Sequence, residues 1–163
     1  MYFVDTSALV KFYLPEKGSN TVQEAFRRLD GSLSLSELVA LETLGVFTRK
    51  RRAKEIAGAV YVQARNDLLN DLRTRFYTVP VHEDAFAEAL GMSHTFRNRG
   101  VGCNDFLHLA TAGYLQTLLP EETIALMCSD RRLKDLAIER GFDVFDPERD
   151  DLGELLPLAL HLQ

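Results

Sequence analysis

Short apolar runs and longer helical stripes take turns along this chain. The apolar opening at Tyr2, Phe3 and Val4 reads as a short buried strand, and residues 6–13 read as a helix stopped near Pro15. Residues 18–29 place Val22, Ala25, Phe26 and Leu29 on one side at helical spacing, and residues 32–34 suit a short strand. Residues 35–51 predict a helix capped by Ser34, with Ser34 and Glu37 spaced as a capping box. A second long helix follows at 54–73, with Ile56, Val60 and Leu68 among its apolar positions. Then come a strand at 76–81, interrupted near its end by Pro80, a helix at 83–96 and a glycine-containing loop at 97–103. The helix at 105–119 ends at Pro120. A strand at 124–128, a helix at 131–140 closed by Gly141, a strand at 142–145 and a short helix from Leu152 complete the pattern.

Strands separated by helices predict an α/β fold, a parallel sheet covered on both faces. No repeat, low-complexity tract or linker divides the 163 residues. We therefore expect a single domain over 1–163, with 147–163 as an accessory C-terminal segment. The apolar fraction of 46% and charged fraction of 26% are ordinary for a folded, soluble protein. No apolar run is long enough to span a membrane, and the start has no basic signal-like region. Cys103 and Cys128 form neither a disulfide framework nor a zinc pattern. Buried free thiols in a reducing, cytoplasmic compartment are expected. The formal net charge of −5 argues against a strong non-specific nucleic-acid binder. Basic residues nevertheless gather at Arg49, Lys50, Arg51, Arg52 and Lys54, and in the pairs Arg97 with Arg99 and Arg131 with Arg132.

Four acids, each beside an apolar stretch, change the picture: Asp5, Glu42, Asp105 and Asp130. Asp5 and Asp130 each follow a strand and precede a helix. Both positions suit a helix cap, and both also lie where open α/β sheets gather ligands, beyond the carboxyl ends of their strands. If the first and fourth strands are neighbours, the two acids come together. Glu42 has Leu38, Val39 and Val46 on its side of the helix, so its carboxylate needs an arginine, a lysine or a metal. Asp105 sits in the first turn of its helix, where the dipole favours an acid, on the side of His108 and Leu109. His108 reads as a hydrogen-bonded core residue rather than a ligand. Glu37 is explained by the capping box, and it lies about 140° around the helix from Glu42.

Carboxylates crowded together repel unless a cation compensates, so a cluster of four implies Mg²⁺ or Mn²⁺, one or two ions. Such an ion can activate water and neutralise phosphate. Ser7 and Ser129 flank Asp5 and Asp130, and their hydroxyls could support the carboxylates. Arg97 and Arg99 are the candidates for phosphate contacts, ahead of the 49–54 cluster, which equally suits a solvated helix end.

The segments Val4-Asp-Thr-Ser-Ala-Leu, Ser36-Glu-Leu-Val-Ala-Leu-Glu, Asn104-Asp-Phe-Leu-His-Leu-Ala-Thr-Ala and Cys128-Ser-Asp-Arg-Arg-Leu, in that order, resemble the PIN domain nucleases. Among them, the VapC-type ribonuclease toxins of toxin–antitoxin pairs are the nearest in pattern, from about Met1 to Pro147. The resemblance implies a five-stranded parallel sheet between helices. It also implies Asp5, Glu42, Asp105 and Asp130 as catalytic, metal-binding acids for Mg²⁺- or Mn²⁺-dependent RNA hydrolysis with water as nucleophile. It further implies a homodimer and a small antitoxin protein as partner. The chain is longer than many such toxins, in the segment around 54–75 and after Pro147. The alternative is a catalytically silent domain of the same fold that binds RNA or protein. A haloacid-dehalogenase-type phosphatase would want an Asp where Ser7 stands, and a receiver domain would need an acid pair after the first strand.

Overall fold

The computed structural model describes residues 1–155. Its elements run β1 (Tyr2–Val4), α1 (Thr6–Tyr13), α2 (Ser19–Arg28), β2 (Leu33–Ser36), α3 (Glu37–Arg52) and α4 (Gly58–Thr74). They continue with β3 (Phe76–Val79), α5 (Glu83–Thr95), α6 (Cys103–Leu118), β4 (Ala125–Met127), α7 (Arg131–Glu139) and β5 (Val144–Phe145). All five strands are parallel, in the order β3-β2-β1-β4-β5. The expected α/β class and strand count hold. β1 lies at the centre, and the chain order reverses across it, which opens a crevice at the carboxyl ends of β1 and β4.

Period-two alternation divides the core between the faces. Tyr2 and Val4 of β1 point into one layer with Leu9, Phe26, Phe47 and Leu68 of α1–α4. Phe3 points into the other with Met92, Phe106, Leu109 and Leu133 of α5–α7. Both faces are buried, so the strands read as continuous apolar runs, as parallel strands do.

Two boundaries differ from the sequence expectation. The Leu33-Ser-Leu-Ser stretch is all strand and fully buried, and Ser34 spends its hydroxyl on the Tyr2 carbonyl at 3.2 Å. Ser36 therefore caps α3, accepting from the Val39 N–H at 3.2 Å, and the expected Ser34–Glu37 capping box does not form. The helix expected from residue 54 begins at Gly58, because Lys54 adopts a left-handed φ of 61° in the turn after α3. Cys103 is exposed rather than buried, since it opens α6 at the surface, whereas Cys128 is buried as expected. Residues 152–155 form turns and bends, and the remainder of the helix expected from Leu152 lies outside the described residues. After β5 the chain returns over α1, where Glu148 pairs with the buried Lys11 at 2.9 Å.

Candidate active site

The carboxyl ends of β1 and β4 carry the first two acids. The Asp5 N–H donates to the Met127 carbonyl at 3.0 Å, which fastens the end of β1 to β4. Asp5 then caps α1: its Oδ2 accepts from the Ser7 N–H at 2.8 Å and from the Ser7 hydroxyl at 2.6 Å. Asp130 caps α7, its Oδ1 accepting from the N–H groups of Arg132 at 2.8 Å and Leu133 at 3.0 Å. Capping and placement at a strand's carboxyl end are thus one arrangement. Ser7 joins the two turns, because its Oγ also accepts from the N–H groups of Ser129 at 2.9 Å and Asp130 at 3.3 Å. Beneath them lies the buried Cys128, with its Sγ 3.7 Å from Asp5 Oδ2. Burial, reinforced by the Asp5 charge, pushes its thiol far above the ordinary range, so it stays neutral.

Asp105 occupies the third position of α6, and its Oδ2 accepts from the Gly102 N–H at 2.9 Å. Burial first, and then the charges of Asp5 and Asp130, raise its pKa against the lowering effect of that N–H. Asp5, Asp105 and Asp130 are therefore one electrostatic cluster. Among the described residues, no lysine or arginine forms an ion pair with any of the three, nor with Glu42.

Glu42 is held differently. Its Oε2 accepts from the Thr6 hydroxyl at 2.8 Å and faces His108 Nε2 at 2.6 Å, while its Oε1 accepts from the Asn104 amide. Burial opposes its charge, but the hydrogen bonds from His108, Thr6 and Asn104 outweigh it and hold the carboxyl at about 2. His108 is fully buried. Burial works against its charged form, yet the bond to Glu42 and the charges of Asp5, Glu42 and Asp105 outweigh that and raise its pKa. Among the described residues the side chain set against Glu42 is a histidine, not the arginine or lysine that the sequence offered as alternatives to a metal. The core reading of His108 holds, but one of its partners is a site acid.

The other candidates divide. Ser7 touches Asp5 as expected, whereas the Ser129 side chain makes no hydrogen bond to Asp5 or Asp130 among the described residues, and its backbone N–H is the group engaged. Arg97 is exposed and donates to the His94 carbonyl at 2.9 Å. Arg99 is engaged by Glu139 at 2.9 Å, which turns it toward α7. Arg132, noted in sequence only as one of a pair, instead ties the glycine loop to α7 by donating to the Gly100 carbonyl at 2.7 Å. Thr6, Ser36 and Asn104 are the residues the sequence did not single out. Thr6 and Asn104 directly adjoin Asp5 and Asp105, and that adjacency was the available signal.

The donor set is hard oxygen: among the described residues Asp5, Asp105 and Asp130 have no lysine or arginine paired with them, and burial together with the other two charges pushes Asp105 up. That chemistry fits Mg²⁺ or Mn²⁺. No group of three His, Cys, Asp or Glu side chains among the described residues stands as a ready-made cage. Mg²⁺ sites of this kind rely on a few carboxylates, retained water and substrate phosphate.

A family model, that of the PIN domain, matches residues 2–139. No curated protein matches the chain by sequence. Among solved structures, VapBC2 from Rickettsia felis bound to a promoter DNA fragment is similar at 12% identity and a TM-score of 0.60, covering 88% of this chain and 96% of that one. VapC20 of Mycobacterium tuberculosis, a toxin that cleaves the sarcin–ricin loop, is similar at 15% identity and a TM-score of 0.61, covering 87% and 96%. FitAcB from Neisseria gonorrhoeae is similar at 16% identity and a TM-score of 0.58, covering 92% and 100%. At these identities the likeness is one of fold.

Proposed function

The chain belongs to the PIN domain family, and from that premise we propose that it is a Mg²⁺- or Mn²⁺-dependent endoribonuclease and the toxin of a toxin–antitoxin pair. PIN domain nucleases are hydrolases that generally use divalent metal ions. The reading is carried by the placement of Asp5, Asp105 and Asp130 at one end of the sheet, where burial and then the other two charges push Asp105 up and, among the described residues, no lysine or arginine is ion-paired with any of the three. A divalent cation is the natural occupant of such a field.

In this reading Asp5, Glu42, Asp105 and Asp130 hold the metal. When bound, the ion supplies an activated water and neutralises charge on the phosphodiester. The chain's own part is orientation. Ser7 fixes one Asp5 oxygen, the Gly102 N–H fixes one Asp105 oxygen, and the start of α7 fixes one Asp130 oxygen. Each carboxylate keeps its other oxygen for the cluster. Water would displace the sugar oxygen from phosphorus, the P–O bond to the sugar breaking as the new one forms, and the proton that the water gives up would go to the departing sugar oxygen. Arg97, exposed in the loop before α6, is the better-placed cation for an RNA phosphate, since Arg99 is already paired.

Partner relations follow the family pattern: an RNA substrate, an antitoxin protein and a homodimer, in the cytoplasm. The structural neighbours include toxin–antitoxin complexes, which supports the antitoxin. No helix among the described residues is long and apolar enough to cross a membrane. The test is cleavage of a labelled, structured RNA pool by purified protein freed of any partner, with Mn²⁺, Mg²⁺ and EDTA in parallel. We expect metal-dependent cleavage that Asp105→Asn abolishes. Folded protein that cleaves with neither metal would overturn the nuclease assignment in favour of a silent binding domain.

A further inference from the structure

Glu42 is held by three side chains from other elements, Thr6 of α1, Asn104 of α6 and the fully buried His108 of α6. Ser36 ends β2 and caps α3, and its Oγ already accepts the Val39 N–H at 3.2 Å. Its hydroxyl hydrogen is therefore free for His108 Nδ1, 3.3 Å away. The Glu42 carboxylate only accepts, so its Oε2, 2.6 Å from His108 Nε2, requires the hydrogen on Nε2, and in the neutral ring Nδ1 then accepts from Ser36. In the charged form Nε2 carries a hydrogen as well, so the contact holds in both states. Thr6 donates to the same oxygen at 2.8 Å. A carboxylate oxygen has two lone-pair sites. His108 and Thr6 fill both on Oε2, whereas the exposed Asn104 fills one on Oε1 and leaves the other open.

We propose that His108 is a positioning residue for Glu42: held by Ser36, it works with Thr6 to saturate Oε2, so that Oε1 is the oxygen Glu42 offers to a divalent cation. The relay runs Ser36, His108, Glu42 and links β2 and α6 to the acid on α3. This rests on the metal-site reading above. With His108 gone, Thr6 and Asn104 still hold Glu42, but one lone-pair site opens on Oε2 and the two oxygens are no longer distinguished. Partners of this kind typically contribute ten- to hundredfold to metal affinity or activity.

The experiment is Mn²⁺ binding by calorimetry to the full chain and to variants checked for folding by circular dichroism. His108→Leu removes the donor, and His108→Asn keeps an amide too short to reach Glu42. His108→Gln places an amide N–H near the Nε2 position. We expect Mn²⁺ to bind His108→Leu and His108→Asn roughly ten- to hundredfold more weakly than wild type, and His108→Gln to recover most of the loss. In RNA cleavage under subsaturating Mn²⁺, kcat should fall while KM for RNA stays unchanged. If His108→Leu does not fold, His108→Asn carries the comparison. Wild-type affinity in the folded variants overturns the positioning role and leaves the metal site standing. Absence of Mn²⁺ binding to wild type itself overturns the metal site and this role together.

Discussion

Neutralising two acids of the same cluster should move the stability of the metal-free protein in opposite directions. Glu42 accepts three hydrogen bonds, and glutamine offers a single carbonyl oxygen. With that oxygen in the Oε2 position, Glu42→Gln keeps Thr6 and His108 but turns two charge-assisted bonds into neutral ones. Bonds to charged groups contribute about 1.5–3 kcal/mol and neutral ones about 0.5–1.5 kcal/mol, so the loss is about 2 kcal/mol. Asn104 is exposed and turns to water at little cost. The Glu42 side chain keeps 24% of its surface exposed, and solvent screening brings the net loss to about 1–2 kcal/mol. At this chain length the melting point should fall by about 2–8 °C.

Asp105 accepts only the Gly102 N–H, which asparagine can also satisfy. Its raised pKa means that its charge opposes folding, so Asp105→Asn should stabilise, by up to about 1 kcal/mol after the lost helix-dipole contribution. Both differences should vanish in acid. The depressed Glu42 pKa gives stability that is present above the unfolded value of about 4.3 and lost as pH falls toward about 2, so the Glu42→Gln deficit closes in acid. The raised Asp105 pKa has the opposite sign: its penalty is full above the folded pKa and absent below the unfolded value of about 3.9, so the Asp105→Asn gain closes in acid as well. Urea unfolding in EDTA, followed by circular dichroism, measures both. Shifts of the same sign at neutral pH would refute the distinction between a hydrogen-bonded acid and a repelled one.

Ser7→Ala removes the hydroxyl that joins Asp5 to the Ser129 turn; it should cost about 1–3 kcal/mol and slow RNA cleavage ten- to roughly a hundredfold, read by urea unfolding and initial rates. Gly18→Ala forces a side chain onto a φ of 85° and places its Cβ 2.7 Å from the Pro147 carbonyl oxygen, so calorimetry should show a loss of about 2 kcal/mol or more with Mn²⁺ affinity unchanged. Asp146 is buried, and although burial opposes its charge, Lys134 and the Glu148 N–H hold its carboxyl low. Asp146→Asn should therefore cost about 2–4 kcal/mol at neutral pH, and because a lowered pKa loses its stabilisation as pH falls through the folded value, unfolding curves of the two proteins should converge in acid.

The order of elements was legible, and Asp5, Asp105 and Asp130 drew notice because each sits at an element boundary, whereas Glu42 lies inside α3 and was picked out by its apolar neighbours. Asp5 and Asp130 end apolar strands, and parallel pairing of β1 with β4 follows from the topology. The α3 cap was placed two residues early because Leu33-Ser-Leu-Ser contains two serines, and only sheet pairing decides that Ser34 is a strand residue. His108 was read as core because its partners, Ser36 and Glu42, are 72 and 66 residues away. No local periodicity carries such information. Arg99 looked free for phosphate because Glu139, its partner, lies 40 residues on.

Metal-linked stability tests the central claim most directly. Wild type and Asp105→Asn would be melted in EDTA and in Mn²⁺ at increasing concentration. A ligand that binds only the folded state stabilises by about 2.7 kcal/mol at a hundred times its Kd. At this chain length that is about 5–11 °C. We expect wild type to rise by this amount, and Asp105→Asn to start slightly higher in EDTA and remain flat. A wild-type melting point indifferent to Mn²⁺, or an equal rise in Asp105→Asn, would contradict the assignment of these acids as a metal site.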